Sequence, residues 1–195
     1  MKLFKIAIVC FVSITIISSC RKISVDPELP AATQEGKNTF GCKVDGRIWE
    51  PKGSFSTPAF DLSYDPTWNG GTMSIKAYRS FKENPDINIV TKEFISISLG
   101  EVSKPGQYSF NTQDSLALGN YTMAVQDQTG ITEITKVCYY DAAEDSRSGM
   151  LNITKLDMGR GIISGTFEFT LTKKNPITEC NPVLKITEGR FDLKM

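Results

Sequence analysis

The residues best suited to hold a ligand lie in the segment FDLSYDPTWNGG, residues 60–71. Three aromatic side chains occur there beside carboxylates, an amide and two glycines. β-Sandwich proteins often hold sugars by stacking them on aromatic rings and hydrogen-bonding their hydroxyl groups to nearby carboxylates or amides. We therefore predict a platform for a glycan or another partner, made of Phe60, Tyr64, Asp65, Trp68 and Asn69. The alternative is that Trp68 packs inward and caps one end of the fold.

Catalysis has few candidate residues, because the chain contains no histidine. The absence of histidine excludes Ser–His and Cys–His nucleophile pairs and every His-ligated metal site. Two carboxylates could hydrolyse a glycoside, but nothing in the pattern distinguishes one pair among the 22 acids. Asp141, Glu144 and Asp145 lack the spacing of an EF-hand loop, so we expect a solvated connection there. The sequence predicts no catalytic residue, no cofactor and no metal.

The N-terminal residues predict export and lipid attachment. Lys2 and Lys5 precede an apolar run of 12 residues, Ile6 to Ile17, which suits a signal-peptide core but falls short of the roughly 20 residues of a spanning helix. The run ends in ISSC, which resembles the lipobox of bacterial lipoproteins, where the cysteine is acylated and the chain is cut before it. We predict a signal peptide over residues 1–19 and lipid on Cys20. An uncleaved anchor helix is the alternative.

Removal of residues 1–19 leaves a near-neutral chain. The 22 basic and 22 acidic side chains become 20 and 22, without a basic run. This balance argues against nucleic acid or an anionic lipid surface as a partner. Residues 20–38 contain two prolines, several small or polar residues and no periodicity, which predicts a flexible tether. The domain is then predicted over residues 39–195.

Three cysteines remain in the predicted domain. Cys42 alternates with the apolar residues Phe40 and Val44, which favours a buried thiol. An oxidising envelope permits one disulfide among the three, and we predict that it joins Cys138 to Cys180.

From residue 39 onward the sequence predicts an all-β fold. Short segments that alternate between apolar and polar side chains are separated by turn residues, which is typical of an antiparallel β-sandwich, here with about nine to eleven strands. Asp45-Gly46 predicts a two-residue hairpin, and residues 128–130 and 157–161 predict two more turns. Trp49 is expected in the core. Gly189 is expected in a turn within the last segment, VLKITEGRFDLKM.

The segments NTFGCKVDGRIWEP, LNITKLD…GIISGTFEFTL and ITEGRFDLKM resemble a family of uncharacterised envelope lipoproteins from Bacteroidetes-type bacteria. The resemblance implies an envelope location and a β-rich fold, and supplies no catalytic residue. The tripeptide around Ser115, DSL, resembles the O-glycosylation acceptor of these bacteria. The segment CRKISVD is basic where surface-exposed lipoproteins have an acidic stretch, so the resemblance favours the periplasmic side.

These observations predict an outer-membrane lipoprotein whose β-sandwich domain binds a glycan or an envelope protein, or has a structural role, without catalysis. The alternative is a small envelope hydrolase that uses carboxylates alone. That enzyme would need two acids across a cleft, at least one of them with a raised pKa.

Overall fold

The alternating segments form antiparallel strands in two sheets. A computed structural model describes residues 28–53, 58–111, 116–130, 133–141 and 145–195, and these contain eleven strands. The strands are β1 (Thr39–Val44), β2 (Arg47–Trp49), β3 (Phe60–Asp65), β4 (Thr72–Phe81), β5 (Ile89–Leu99), β6 (Gly106–Ser109), β7 (Ala117–Asp127), β8 (Glu133–Tyr140), β9 (Ser146–Asp157), β10 (Ile162–Thr172) and β11 (Val183–Lys194). None of the described residues belongs to a helix long and apolar enough to cross a bilayer.

The two sheets pack face to face, which confirms the predicted all-β sandwich. One sheet has six strands in the order β2-β1-β11-β10-β9-β6, and the other has five in the order β3-β4-β5-β7-β8. Alternation along each strand turns one apolar face inward. The buried side chains of both inner faces form one core, in which Trp49 is fully buried, as predicted.

The predicted hairpin turns connect the predicted strands. Asp45 and Gly46 both adopt positive φ, 48° and 79°, as a two-residue turn that matches the twist of its flanking strands requires. They join β1 to β2. Residues 128–130 lie between β7 and β8, and residues 158–161 join β9 to β10.

The prediction of a turn at Gly189 is wrong. Residues Val183–Lys194 form one continuous strand, and the register of its pairing shifts opposite Phe167 and Phe169. Glu188, just before the glycine, has φ of 52°, which marks a β-bulge at this point. A Cβ on Gly189 would lie 2.4 Å from Cε2 of the Phe167 ring. The glycine is therefore needed for the close approach of an aromatic ring to the strand.

Gly189→Ala is expected to lower the free energy of unfolding by about 1–3 kcal/mol, because the new methyl group must displace the Phe167 ring from a packed core. Urea unfolding followed by circular dichroism measures the change. Gly130→Ala is the matched control, since nothing lies within 4 Å of the position of its Cβ. Equal losses in the two variants would contradict the packing role of Gly189.

Residues 28–38, predicted to be the end of a flexible tether, pack against the outer face of the six-stranded sheet. We call them the N-terminal strap. Asp192 on β11 is fully buried beneath the strap. Its carboxylate accepts hydrogen bonds from Thr33 Oγ1 (2.6 Å), the backbone N–H groups of Glu35 (3.0 Å), Gly36 (2.8 Å) and Lys37 (3.2 Å), and Ser164 Oγ (2.7 Å). The packed part of the chain thus begins before residue 39.

Contacts along its whole length fix the strap to the sheet. Lys155 Nζ donates to the carbonyl oxygen of Gln34 (3.0 Å), and the backbone N–H of Lys194 donates to Asn38 Oδ1 (2.9 Å). Farther toward the N-terminus, the Pro30 ring covers Gly41, where a Cβ would lie 2.6 Å from Pro30 Cδ. The strap therefore runs from the end of the sheet back across its middle.

Asp192→Asn is expected to destabilise the domain by about 1–3 kcal/mol at pH 7. Burial acts to raise the pKa of Asp192, but its hydrogen bonds, led by those from Thr33 and Ser164, outweigh burial and hold that pKa well below its usual range. A carboxyl with a depressed folded-state pKa stabilises the fold fully above its unfolded-state pKa, about 3.9, and this contribution is lost as the pH falls toward the folded-state value.

The stability difference between wild type and Asp192→Asn should therefore shrink as the pH falls below about 4. Urea unfolding from pH 7 to pH 2 measures it. Asp61→Asn, at an exposed position of β3, is the control and should change stability little at any pH. A difference that stays constant over the whole range would contradict the assignment to the Asp192 carboxylate.

Candidate functional site

A cavity of about 470 Å³ opens between the two sheets at the end where β1 turns into β2. We call it the inter-sheet cleft. It forms because β2 has three residues, whereas β4, β5 and β7 have 10, 11 and 11, so the long strands extend beyond the part of the first sheet that covers them. Its volume lies within the range of roughly 300–1,000 Å³ that is typical of small-molecule sites.

Glu93 forms the floor of the cleft. It is only 3% exposed, and it projects inward from β5 in line with the apolar residues of the core. Oε1 accepts a hydrogen bond from the Tyr121 hydroxyl (2.7 Å), and Oε2 accepts one from Trp49 Nε1 (2.8 Å). Arg79 Nε forms an ion pair with the same Oε2. Both carboxylate oxygens are thus held by donors, as a buried charge requires.

The Arg79 guanidinium is fixed in turn. It lies 5.3 Å from the centroid of the Trp49 ring and 4.9 Å from that of Phe81, and its Nη1 donates to the carbonyl oxygen of Ile48 (3.2 Å). Stacking on two rings suits a planar, delocalised cation. Glu93 is therefore not available to a ligand as an unpaired negative charge.

Tyr121 stays protonated at the floor. Burial, followed by the negative charge of Glu93, raises the pKa of Tyr121 far above its ordinary value. Its hydroxyl hydrogen is donated to Glu93, so its oxygen can only accept a hydrogen bond from a ligand in the cleft.

Two cations line the cleft. Arg47 comes from β2 of one sheet and Lys136 from β8 of the other, and neither forms an ion pair within the described ranges. Asp45, which also lines the cleft, accepts hydrogen bonds from the backbone N–H of Lys185 (2.9 Å) and from Asn181 Nδ2 (3.4 Å). The structure thus leaves cationic groups with free donors facing the cavity.

The predicted aromatic platform does not form as a unit. Phe60 and Tyr64 face inward along β3 and pack against the core, and the Tyr64 hydroxyl donates to the carbonyl oxygen of Val102 (2.6 Å). Trp68 is 70% exposed, which contradicts the alternative that it caps the fold from inside. Trp68 therefore stands apart from the other two rings.

The polar residues of the predicted platform shape its turn. Asp65 Oδ1 accepts hydrogen bonds from Thr67 Oγ1 (2.7 Å) and the Thr67 backbone N–H (2.8 Å), which hold the pKa of Asp65 below its usual value. Asn69 adopts φ of 48°, a turn conformation that asparagine tolerates. Neither residue lines the inter-sheet cleft.

The acidic connection near residue 145 differs from the expectation of solvated side chains. Asp145 is 4% exposed and pairs with Lys173 Nζ at 3.2 Å. Glu144 lies outside the described residues. No group of three metal-ligating side chains occurs in the part of the chain that the structure describes. Asp145 thus joins the start of β9 to the segment that follows β10.

The structure contains the disulfide Cys138–Cys180, which is the predicted pairing. Cys42 is a free, buried thiol, as expected, and burial raises its pKa to about 12. A thiol with so high a pKa is unreactive at neutral pH. Cys20 and Ser115, the predicted lipid and glycan attachment sites, lie outside the described residues.

Comparison of the chain with protein-family models, with curated proteins and with solved structures gave no match. The inter-sheet cleft was not predicted from the sequence. The inward positions of Arg79 and Glu93, on neighbouring strands in otherwise apolar alternation, are the signal from which its floor could have been found.

Proposed function

We propose that this chain is a lipid-anchored lipoprotein of the bacterial outer membrane whose β-sandwich is a non-catalytic binding module, and that it takes a small ligand in the inter-sheet cleft. The observation that carries the proposal is the cleft itself. It combines about 470 Å³ of space, a floor fixed by Glu93, and unpaired cations on its walls. A concave site with a few fixed polar groups is the usual form of a small-molecule site.

Non-catalytic binding agrees better with the acids of the cleft than hydrolysis does. The Glu93 oxygens are already held by Arg79, Trp49 and Tyr121, so this carboxylate is not placed to accept or deliver a proton. The carboxyls whose pKa departs from the ordinary range in the described chain include Asp65, Asp127 and Asp192, and each of these is lowered. A general acid would need a raised pKa.

A thermal-shift screen of the full-length protein against a library of small metabolites and oligosaccharides tests the proposal. A ligand at 100 times its Kd adds about 2.7 kcal/mol of stability, which corresponds to a rise in Tm of roughly 5–10 °C for a domain of this size. Val125→Trp, which fills the cleft from β7, should abolish the shift. Trp68→Ala should leave it unchanged.

The screen has two contrary outcomes. If no compound stabilises the wild type, or if Val125→Trp responds as the wild type does, the cleft is not the binding site. If Trp68→Ala alone loses the response, binding belongs to the exposed aromatic residue of the predicted platform instead.

The ISSC sequence that ends at Cys20 supports the lipid anchor. The basic residues after it, through the resemblance to envelope lipoproteins, favour the periplasmic side of the outer membrane. Metabolic labelling with a fatty-acid analogue should mark the wild type and the control Cys42→Ser, and should not mark Cys20→Ser. Label on the Cys20→Ser protein would contradict the anchor.

A further inference from the structure

We propose that the ligand of the inter-sheet cleft is a small organic acid with one negative group, whose carboxylate binds between Arg47 and Lys136 and whose apolar body lies along the five-stranded sheet. This inference rests on the proposed function, since it names the class of ligand for the same cleft.

The positions of the two cations carry the first step. Arg47 is on β2, at the edge of the six-stranded sheet, and Lys136 is on β8, at the edge of the five-stranded sheet. The side chains therefore approach one cavity from different sheets. Arg47 is close enough to the floor for its positive charge to act on the Tyr121 hydroxyl. Its charge lowers the pKa of Tyr121, although the larger effects of burial and Glu93 raise that pKa overall. Two like charges around one cavity are best satisfied by an anion between them.

No acid of the cleft forms an ion pair with either cation among the described residues. Glu93 is held by three donors, and Asp45 is held by the Lys185 backbone and Asn181. The remaining two acids, Glu83 and Glu179, are exposed. Water and salt screen the charges of both acids, as they screen that of Arg47, which is exposed as well. At short range the two acids still oppose a second negative group, which favours a ligand with a single acid group.

Other residues of the lining are apolar. Ile87 and Ile89 are 43% and 39% exposed, and Met123, Val125 and Leu184 line the same cavity. A ligand that covers these exposed isoleucine side chains removes apolar surface from water, which favours its binding. Arginine offers a planar fork of N–H groups that matches a carboxylate, and lysine adds a point charge. A single carboxylate on an apolar body fits both halves of the lining.

Isothermal titration of the detergent-solubilised full-length protein with 4-phenylbutyrate and with 4-phenylbutyramide tests the inference, with a detergent-only titration subtracted. The two compounds have nearly the same shape and differ in charge. We expect the acid to bind more tightly than the amide by roughly tenfold or more, the usual value of a hydrogen bond to a charged group. Arg47→Gln/Lys136→Gln should reduce binding of the acid to the level of the amide.

Lys76→Gln, which removes an exposed lysine from β4 outside the cleft, is the matched control and should bind as the wild type does. Equal binding of acid and amide, or an acid affinity unchanged in the double variant, overturns the anionic ligand and leaves cleft binding intact. If neither 4-phenylbutyrate nor 4-phenylbutyramide binds while library compounds do, the anionic ligand is likewise overturned and cleft binding is left intact. If no library compound stabilises the wild type in the thermal-shift screen, the proposed function itself is overturned.

Discussion

Glu93→Ala is expected to lower the free energy of unfolding by about 3–5 kcal/mol, the usual cost of removing one partner of a buried ion pair. The loss leaves three donors without their acceptor: the Arg79 guanidinium, Trp49 Nε1 and the Tyr121 hydroxyl. Trp49 is fully buried, so its indole N–H cannot reach water without disturbing the core around it. Urea unfolding of wild type and variant, followed by tryptophan fluorescence, measures the loss.

Two controls separate the charge from the packing. Glu93→Gln keeps the volume and one acceptor oxygen, so its loss should be smaller than that of Glu93→Ala. In the double variant Glu93→Gln/Arg79→Gln the unpaired charge is removed as well, and part of the stability should return. The single variants Glu93→Gln and Arg79→Gln each lose some free energy of unfolding. If the loss in the double variant equals the sum of these two losses, Glu93 and Arg79 are not a coupled pair.

Cys138→Ala/Cys180→Ala is expected to destabilise the domain by about 2–4 kcal/mol. The disulfide closes a loop of 42 residues, which corresponds to about 4 kcal/mol in the chain-entropy model. It also ties the segment after β10 to the edge strand β8. Glu179 and Asn181 of this segment line the cleft, so the double variant should bind a cleft ligand more weakly as well.

Urea unfolding with and without dithiothreitol measures the contribution of the disulfide. The reductant should lower the unfolding midpoint of the wild type and leave that of the double alanine variant unchanged. A wild-type midpoint insensitive to a reductant that demonstrably frees both thiols would contradict the prediction.

Sequence patterns predicted the strands well, because alternation reports directly on which face of a strand is buried. The Asp45-Gly46 hairpin followed from local turn chemistry, which depends on neighbouring residues only. The prediction of a turn at Gly189 was wrong because a glycine in a turn and a glycine beneath an aromatic ring look alike in sequence. The contact that distinguishes them, with Phe167 on the neighbouring strand, is not local.

The candidate site residues were harder to predict for the same reason. Phe60, Tyr64 and Trp68 are near one another in sequence, but period-two alternation turns the first two inward and the third lies beyond the end of β3. Arg47 and Lys136 are far apart in sequence, and only the packing of the two sheets brings them to one cavity.

The strap also bears on how far the domain would extend from a membrane under the proposed lipid anchor. If Cys20 carries the lipid, the chain length between lipid and domain is counted to Pro30, which packs over Gly41 of the sheet, rather than to residue 39. The ten peptide units from Cys20 to Pro30 reach at most about 36 Å, less than the diameter of roughly 40 Å expected for a domain of this size. The domain would then stay within about one of its own diameters of the bilayer.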